Sequence, residues 1–193
     1  MVEEILPNLY TIEVPLPRNP LRAINSYIIK DEGQSLIIDT GMNRKECMSV
    51  MSAGLKELDV DLKKTDFFIT HLHADHLGLV SRLATDTSTI YFNQPDATAI
   101  QSDHWGRNAN FADRNGFPED ERKNAMENHP GRVYGARGHL DFHILKEGDT
   151  ISIGDYLFRC IESPGHTRGH ICLYEPNKKI LMSGDHILID ITP

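Results

Sequence analysis

Residues 71–76 read His-Leu-His-Ala-Asp-His, placing four metal-competent side chains within six positions. They follow the apolar run Asp66-Phe67-Phe68-Ile69-Thr70, which has the composition of a β-strand. Side chains alternate between faces in an extended segment, so His71 and His73 should project the same way, with Asp75 continuing the alternation. The pattern Leu77, Leu79, Val80, Leu83 with Gly78 then turns the chain into a helix, and His76 swings from that turn toward the first pair. Such an arrangement supplies two adjacent cation sites rather than one. Cations held side by side lower the pKa of a shared water from ~15.7 toward ~7, which makes hydroxide available at neutral pH to attack a carbonyl or phosphoryl centre. No nucleophilic Ser or Cys is then needed.

Two downstream segments offer further ligands. Ser163-Pro164-Gly165-His166-Thr167 follows the strand-like run 156–161, and Ser183-Gly184-Asp185-His186 follows Ile180-Leu181-Met182. A Gly precedes both His166 and Asp185, where it would permit backbone conformations that a Cβ hinders. Loops at strand ends on a rigid scaffold are a common place for binding groups. His186 neighbours Asp185 on what reads as a strand and should point the opposite way, so it is not counted as a ligand.

In this order, and with Ile37-Ile38-Asp39-Thr40-Gly41 upstream, these motifs resemble the metallo-β-lactamase fold superfamily. The resemblance implies an α/β fold, a four-layer αββα sandwich. It implies that His71, His73 and His166 bind a first metal, that Asp75 and His76 bind a second, and that Asp185 bridges them. Asp39 would be a buried supporting carboxylate. A first site of three His nitrogens suits Zn²⁺; one or two ions are expected, with Fe or Mn as alternatives. Asp75 is the candidate catalytic residue, able to accept or relay a proton. The family usually draws a further His from beyond the Gly-Asp motif, whereas this chain ends at Pro193 with no later His. The expectation is therefore an N-terminal part of a longer enzyme, with the C-terminal half of the sandwich incomplete and the second metal short of a ligand.

The expected function is a metal-dependent hydrolase that uses a metal-bridged hydroxide against a thioester, ester, lactone or β-lactam carbonyl. The alternatives are a phosphodiesterase or nuclease of the same superfamily, an iron-dependent oxygenase resembling the persulfide dioxygenases, and a non-catalytic metal-binding fragment. This scaffold hosts many unrelated substrates, so the motifs do not name one.

Composition narrows the partners. A chain of 193 residues with a formal charge of −8 fits one domain over residues 1–193 and disfavours a general grip on a phosphate backbone. The expected partner is a small-molecule substrate, not nucleic acid, and the oligomeric state is left open. No apolar run approaches the ~20 residues that span a bilayer, and no cationic-apolar leader is present, so no membrane association is expected. Cys47, Cys160 and Cys172 form no Cys-x-x-Cys pattern and read as small buried hydrophobes in a reduced, cytoplasmic setting.

The elements that must carry the site read as follows. Strands are expected over 9–14, 23–30 and 35–39, the last two joined by a hairpin turn at Asp31-Glu32-Gly33. Asn43 with Glu46 resembles a capping box for a helix through Leu58, with Cys47, Met48, Met51, Leu55 and Leu58 as its core stripe. Residues 94–140, which hold Trp105, Phe111 and Phe117, read as a helical insertion or lid, with helices near 96–102 and 119–127. His104, His129 and His139 read as solvated or locally bonded rather than as ligands, His143 as structural, and His170 as packing or supporting the metal ligands through a hydrogen bond. Further strands are expected over 142–145, 150–153, 156–161, 170–174 and 180–183.

Overall fold

The computed structural model describes residues 1–193 except Arg18, 103–109 and 189–193. Its first sheet begins as an antiparallel meander of β1 (Val2–Leu6), β2 (Leu9–Pro15), β3 (Ala23–Asp31) and β4 (Gln34–Ile38). Both Glu32 and Gly33 have positive φ, 43° and 84°, as the tightest β3–β4 hairpin turn requires. The sheet then changes character. β5 (Thr65–Phe68), β6 (Ile90–Asn93) and β7 (His143–Leu145) each add parallel to the strand before, completing seven strands in sequence order.

Parallel neighbours need crossovers, and helices supply them. α1 (Lys45–Glu57) leads from β4 toward β5. Two short helices, α2 (Ala74–Leu77) and α3 (Val80–Leu83), lie between β5 and β6. Between β6 and β7 come α4 (Gln94–Gln101), α5 (Glu119–Glu127) and α6 (Pro130–Tyr134). A second, antiparallel sheet holds β8 (Thr150–Ile153), β9 (Tyr156–Glu162), β10 (Ile171–Glu175) and β11 (Ile180–Met182).

Alternation along the central strands sorts the core into two layers. Ile28, Ile37 and Phe67 pack with Cys47, Met51 and Leu55 of α1. Ile29, Leu36, Ile38 and Phe68 pack against Phe158, Cys160, Ile171 and Leu173 of the second sheet. A helical layer, a mixed sheet and an antiparallel sheet thus stack as an α/β sandwich. The three cysteines are all buried and unbridged. No helix among the described residues is long and apolar enough to cross a membrane.

Three expectations need revision. The capping box does not form: α1 starts at Lys45 with Arg44 as its N-cap and no side-chain cap. Asn43 is engaged elsewhere, its N–H donating to Tyr134 O at 2.8 Å, while Glu46 pairs with the Arg44 guanidinium at 3.0 Å. β1 was not expected, because four of its five residues are exposed and it carries no buried stripe. β6 was not expected either, being four residues long with polar segments on both sides. Trp105 and His104 lie outside the described residues.

Candidate metal centre

Because β4, β5 and β6 run parallel, their C-terminal ends open on one rim, and the predicted ligands collect there. β5 ends at Phe68, so strand alternation is not what joins His71 to His73. The chain bends through 70–72, and His71 Nε2 comes to lie 3.0 Å from His73 Nδ1. Asp75 does not continue an alternation either; it sits with His76 in α2, for which His73 is the N-cap. His166, from the loop after β9, places Nε2 2.9 Å from His73 Nδ1.

Asp185 lies in a short 3-10 turn after β11, not on a strand. Its Oδ2 is 3.5 Å from His166 Nε2 and 4.0 Å from His71 Nε2, while Oδ1 is 3.2 Å from His76 Nε2. Asp75 Oδ2 is 3.9 Å from the same His76 nitrogen. One carboxylate therefore faces two groups of donors. His71, His73, His166 and Asp185 each offer an atom within 4.8 Å of the others, and so do Asp75, His76 and Asp185. All six residues singled out from the sequence meet at one place.

A hydrogen-bond network behind the imidazoles fixes how they are presented. Thr70 Oγ1 lies 2.9 Å from Asp39 Oδ2 and can only donate to it. With that hydrogen used, the hydroxyl accepts from His71 Nδ1 at 3.0 Å, which leaves His71 Nε2 as a bare lone pair facing the cluster. His76 Nδ1 donates to Asp39 Oδ2 at 2.8 Å, so its Nε2 also points inward. That Nε2 is buried and faces Asp185 Oδ1 at 3.2 Å. His73 Nδ1 can donate to only one of the two nitrogens beside it. A set of inward nitrogens backed by carboxylates has donors in the wrong number to satisfy itself and suits a divalent cation.

Charge points the same way. Burial, reinforced by His76, His73 and other nearby imidazoles, drives the His71 pKa far below its ordinary value. Burial and His166 likewise lower that of His73. Burial also opposes a charge on His76, yet Asp39, Asp185 and Asp75 together outweigh it and hold its pKa well above the usual range. For Asp185, burial is overcome by the bond and charge of His76, and its pKa falls. The negative field that retains a proton on His76 is the field that would attract a metal.

The two glycines differ. Gly184 has φ 49°, and a Cβ there would sit 2.8 Å from both His170 Nε2 and Thr70 Oγ1. Gly165 faces open space with no such demand, so the reason expected for a Gly before His166 does not hold.

Among the described residues, the other histidines belong to neither ligand group. His129 Nδ1 accepts from Gly131 N–H, His139 pairs with Asp141 at the surface, and His143 is exposed in β7. His186 is exposed, its ring 5.7 Å from that of His170. His170 is buried, lies 2.7 Å from Ser163 Oγ through Nδ1, and has its pKa lowered to about 4 by burial. Sequence reasoning missed Thr70 and Thr40. The latter gives both its N–H and its Oγ1–H to His76 O at 2.8 Å. The hint available was a Thr adjoining Asp39 and another adjoining His71 at strand ends.

The chain is similar to known proteins over most of its length. A family model described as the metallo-beta-lactamase superfamily matches residues 19–193. The acyl-coenzyme A thioesterase MBLAC2 of Homo sapiens is 29% identical over 182 residues, covering 88% of this chain and 61% of that protein. The atrochrysone carboxyl ACP thioesterase of Emericella nidulans is 25% identical over 187 residues, covering 97% of this chain and 47% of that one. The crystal structure of a metallo-beta-lactamase family protein from Thermus thermophilus superposes with a TM-score of 0.80 at 22% identity, covering 98% of this chain and 63% of that one. The chain thus spans between about half and two thirds of the length of these relatives.

Proposed function

Because the chain belongs to the metallo-beta-lactamase superfamily, we propose that it is the metal-binding part of a hydrolase acting on acyl thioesters. The observation that carries this is Asp185 spanning two donor groups, three imidazoles on one side and Asp75 with His76 on the other. The substrate class is supported by the two curated relatives named as thioesterases, one for acyl-coenzyme A and one for an acyl carrier protein.

In this reading His71, His73 and His166 would hold one Zn²⁺, Asp75 and His76 would hold a second, and Asp185, which belongs to both donor groups, would serve either. When bound, such ions polarise a carbonyl and make a water-derived nucleophile available at neutral pH. The protein's own work is to fix the imidazoles. Asp39 and Thr70 engage the Nδ1 atoms of His76 and His71 and so turn both Nε2 atoms inward, and Thr40 holds the His76 backbone. Asp75, half-buried, would take the proton of the attacking water and return it to the thiolate released as the thioester C–S bond breaks. α6 packs on α2, the helix that carries Asp75 and His76, so the chain around α6 would govern substrate access.

The test is a panel of acyl-coenzyme A thioesters, oxygen esters, a cephalosporin and a phosphodiester, assayed on zinc-loaded and chelator-stripped protein. Thioester turnover that needs zinc and disappears in His73→Ala is expected. Turnover that survives stripping or His73→Ala, or that is confined to the phosphodiester, would refute the proposal.

A further inference from the structure

β6 brings the chain to the rim where β4 and β5 also end, and α4 starts there at Gln94. The third residue of that helix, Asp96, is a carboxylate only 1% exposed. Its Oδ2 accepts from Leu72 N–H at 2.9 Å and from Thr167 Oγ1–H at 2.8 Å. Its Oδ1 accepts from Gly169 N–H at 2.8 Å. Leu72 lies between His71 and His73, and Thr167 directly follows His166. A single side chain therefore bonds both loops that supply the imidazole triad, although those loops are remote in sequence.

The approach is close enough to constrain the opposing residue. A Cβ on Gly169 would stand 2.6 Å from Asp96 N and 2.7 Å from Asp96 Cγ. Only a residue without a side chain lets the His166 loop dock against the start of α4 at this distance. All three partners of Asp96 are donors. A carboxylate accepts from all of them, whereas an amide of the same shape turns an NH₂ group against at least one N–H or O–H.

We propose that Asp96 is a positioning residue for the metal centre, setting the separation of His166 from His71 and His73 without itself touching a metal or substrate. The inference rests on the functional reading above in taking those imidazoles as metal ligands. Partners placed in this way behind metal ligands change affinity by about 10–100-fold when lost.

The test is competition for zinc between the full chain and a chromophoric chelator, together with the visible spectrum of the Co²⁺-loaded protein. Asp96→Asn should weaken binding of the first zinc equivalent by about 10–100-fold and alter the Co²⁺ bands, with cooperative unfolding retained. Thr167→Val, which removes one donor of the three, should shift affinity the same way by less. If Asp96→Asn folds and binds zinc with unchanged affinity and an unchanged Co²⁺ spectrum, Asp96 only supports the fold and the inference fails. If Asp96→Asn does not fold, Thr167→Val decides on the same two readouts. A wild-type chain that binds no zinc would overturn the functional reading itself, and this inference with it; tight binding unaffected by these changes overturns this inference alone.

Discussion

Asp39 Oδ2 lies 2.8 Å from His76 Nδ1, and the same carboxylate takes both the N–H and the hydroxyl of Thr70. Asp39 reaches this position with φ 57°, a left-handed conformation that costs a non-Gly residue energy. The strain is tolerated where β4 ends, because three hydrogen bonds to a 4%-exposed carboxylate hold it. Through Thr70 the same group also governs His71, so one carboxylate sets the inward nitrogen of both donor groups. Asp39→Asn keeps the shape but presents an NH₂ to one of these donors. The expected result is a loss of about 10–100-fold in affinity for the second zinc equivalent, read by chelator competition. Stability should fall by about 1–3 kcal/mol in urea unfolding, as a buried donor is left unpaired.

The stability of the zinc-free protein should peak near neutral pH. His71, His73 and His170 have lowered pKa values, so below about 6.5 the unfolded chain takes up protons that the folded chain refuses, and stability falls with pH. His76 has the opposite sign. Its contribution is complete below about 6.5 and is lost as pH rises through its raised folded value. On the acid side three imidazoles act together; above about 8 the buried thiols of Cys47, Cys160 and Cys172, whose pKa values are also raised, join His76 in lowering stability. Urea midpoints measured with chelator from pH 5 to 9 check this; a midpoint that climbs steadily from pH 7 to 5 contradicts it.

The parts of this site that were legible share one property: their chemistry is written in adjacent residues. His71, His73, Asp75 and His76 lie within six positions, and His166 and Asp185 each follow an apolar strand and a Gly. Their meeting could be anticipated, but the way they meet could not. Nothing in the local pattern shows that the chain bends at 70–72, so that His71 uses Nε2 and His73 uses Nδ1. The role of Thr70 depends on Asp39 arriving from another strand, and that of Asp96 on two loops docking from either side. Asn43 failed as a capping residue for the same reason, since the Tyr134 carbonyl takes its N–H. The long central strands were read correctly because β3 and β4 carry apolar runs, whereas β1 and β6 lacked the length or pattern to stand out.

The cysteines should be inert in the native protein. Burial raises the thiol pKa of Cys47 and Cys172, and burial aided by nearby acidic groups pushes that of Cys160 up to about 12. The thiolate is the reactive form, so none should attack an aromatic disulfide reagent at pH 8. In denaturant all three should react at once. Rapid modification of Cys160 in a folded sample, located by mass spectrometry, would contradict this.

Gly184 and Gly165 precede Asp185 and His166 in the same manner, yet only one of them is held by its surroundings. Gly184→Ala combines a left-handed φ of 49° with a Cβ 2.8 Å from Thr70 Cβ, and both costs fall on the turn that aims Asp185 between the two donor groups. Strain of about 1–2 kcal/mol from the backbone and about 1–3 kcal/mol from overpacking is expected, read as a lower urea midpoint. Zinc stoichiometry should also drop toward one equivalent, because the displaced Asp185 no longer spans both groups. Gly165→Ala has open space and no such backbone demand, so its midpoint should stay within about 0.5 kcal/mol of wild type with zinc content unchanged. Equal effects from the two substitutions would mean that Asp185 is not placed by the geometry of Gly184.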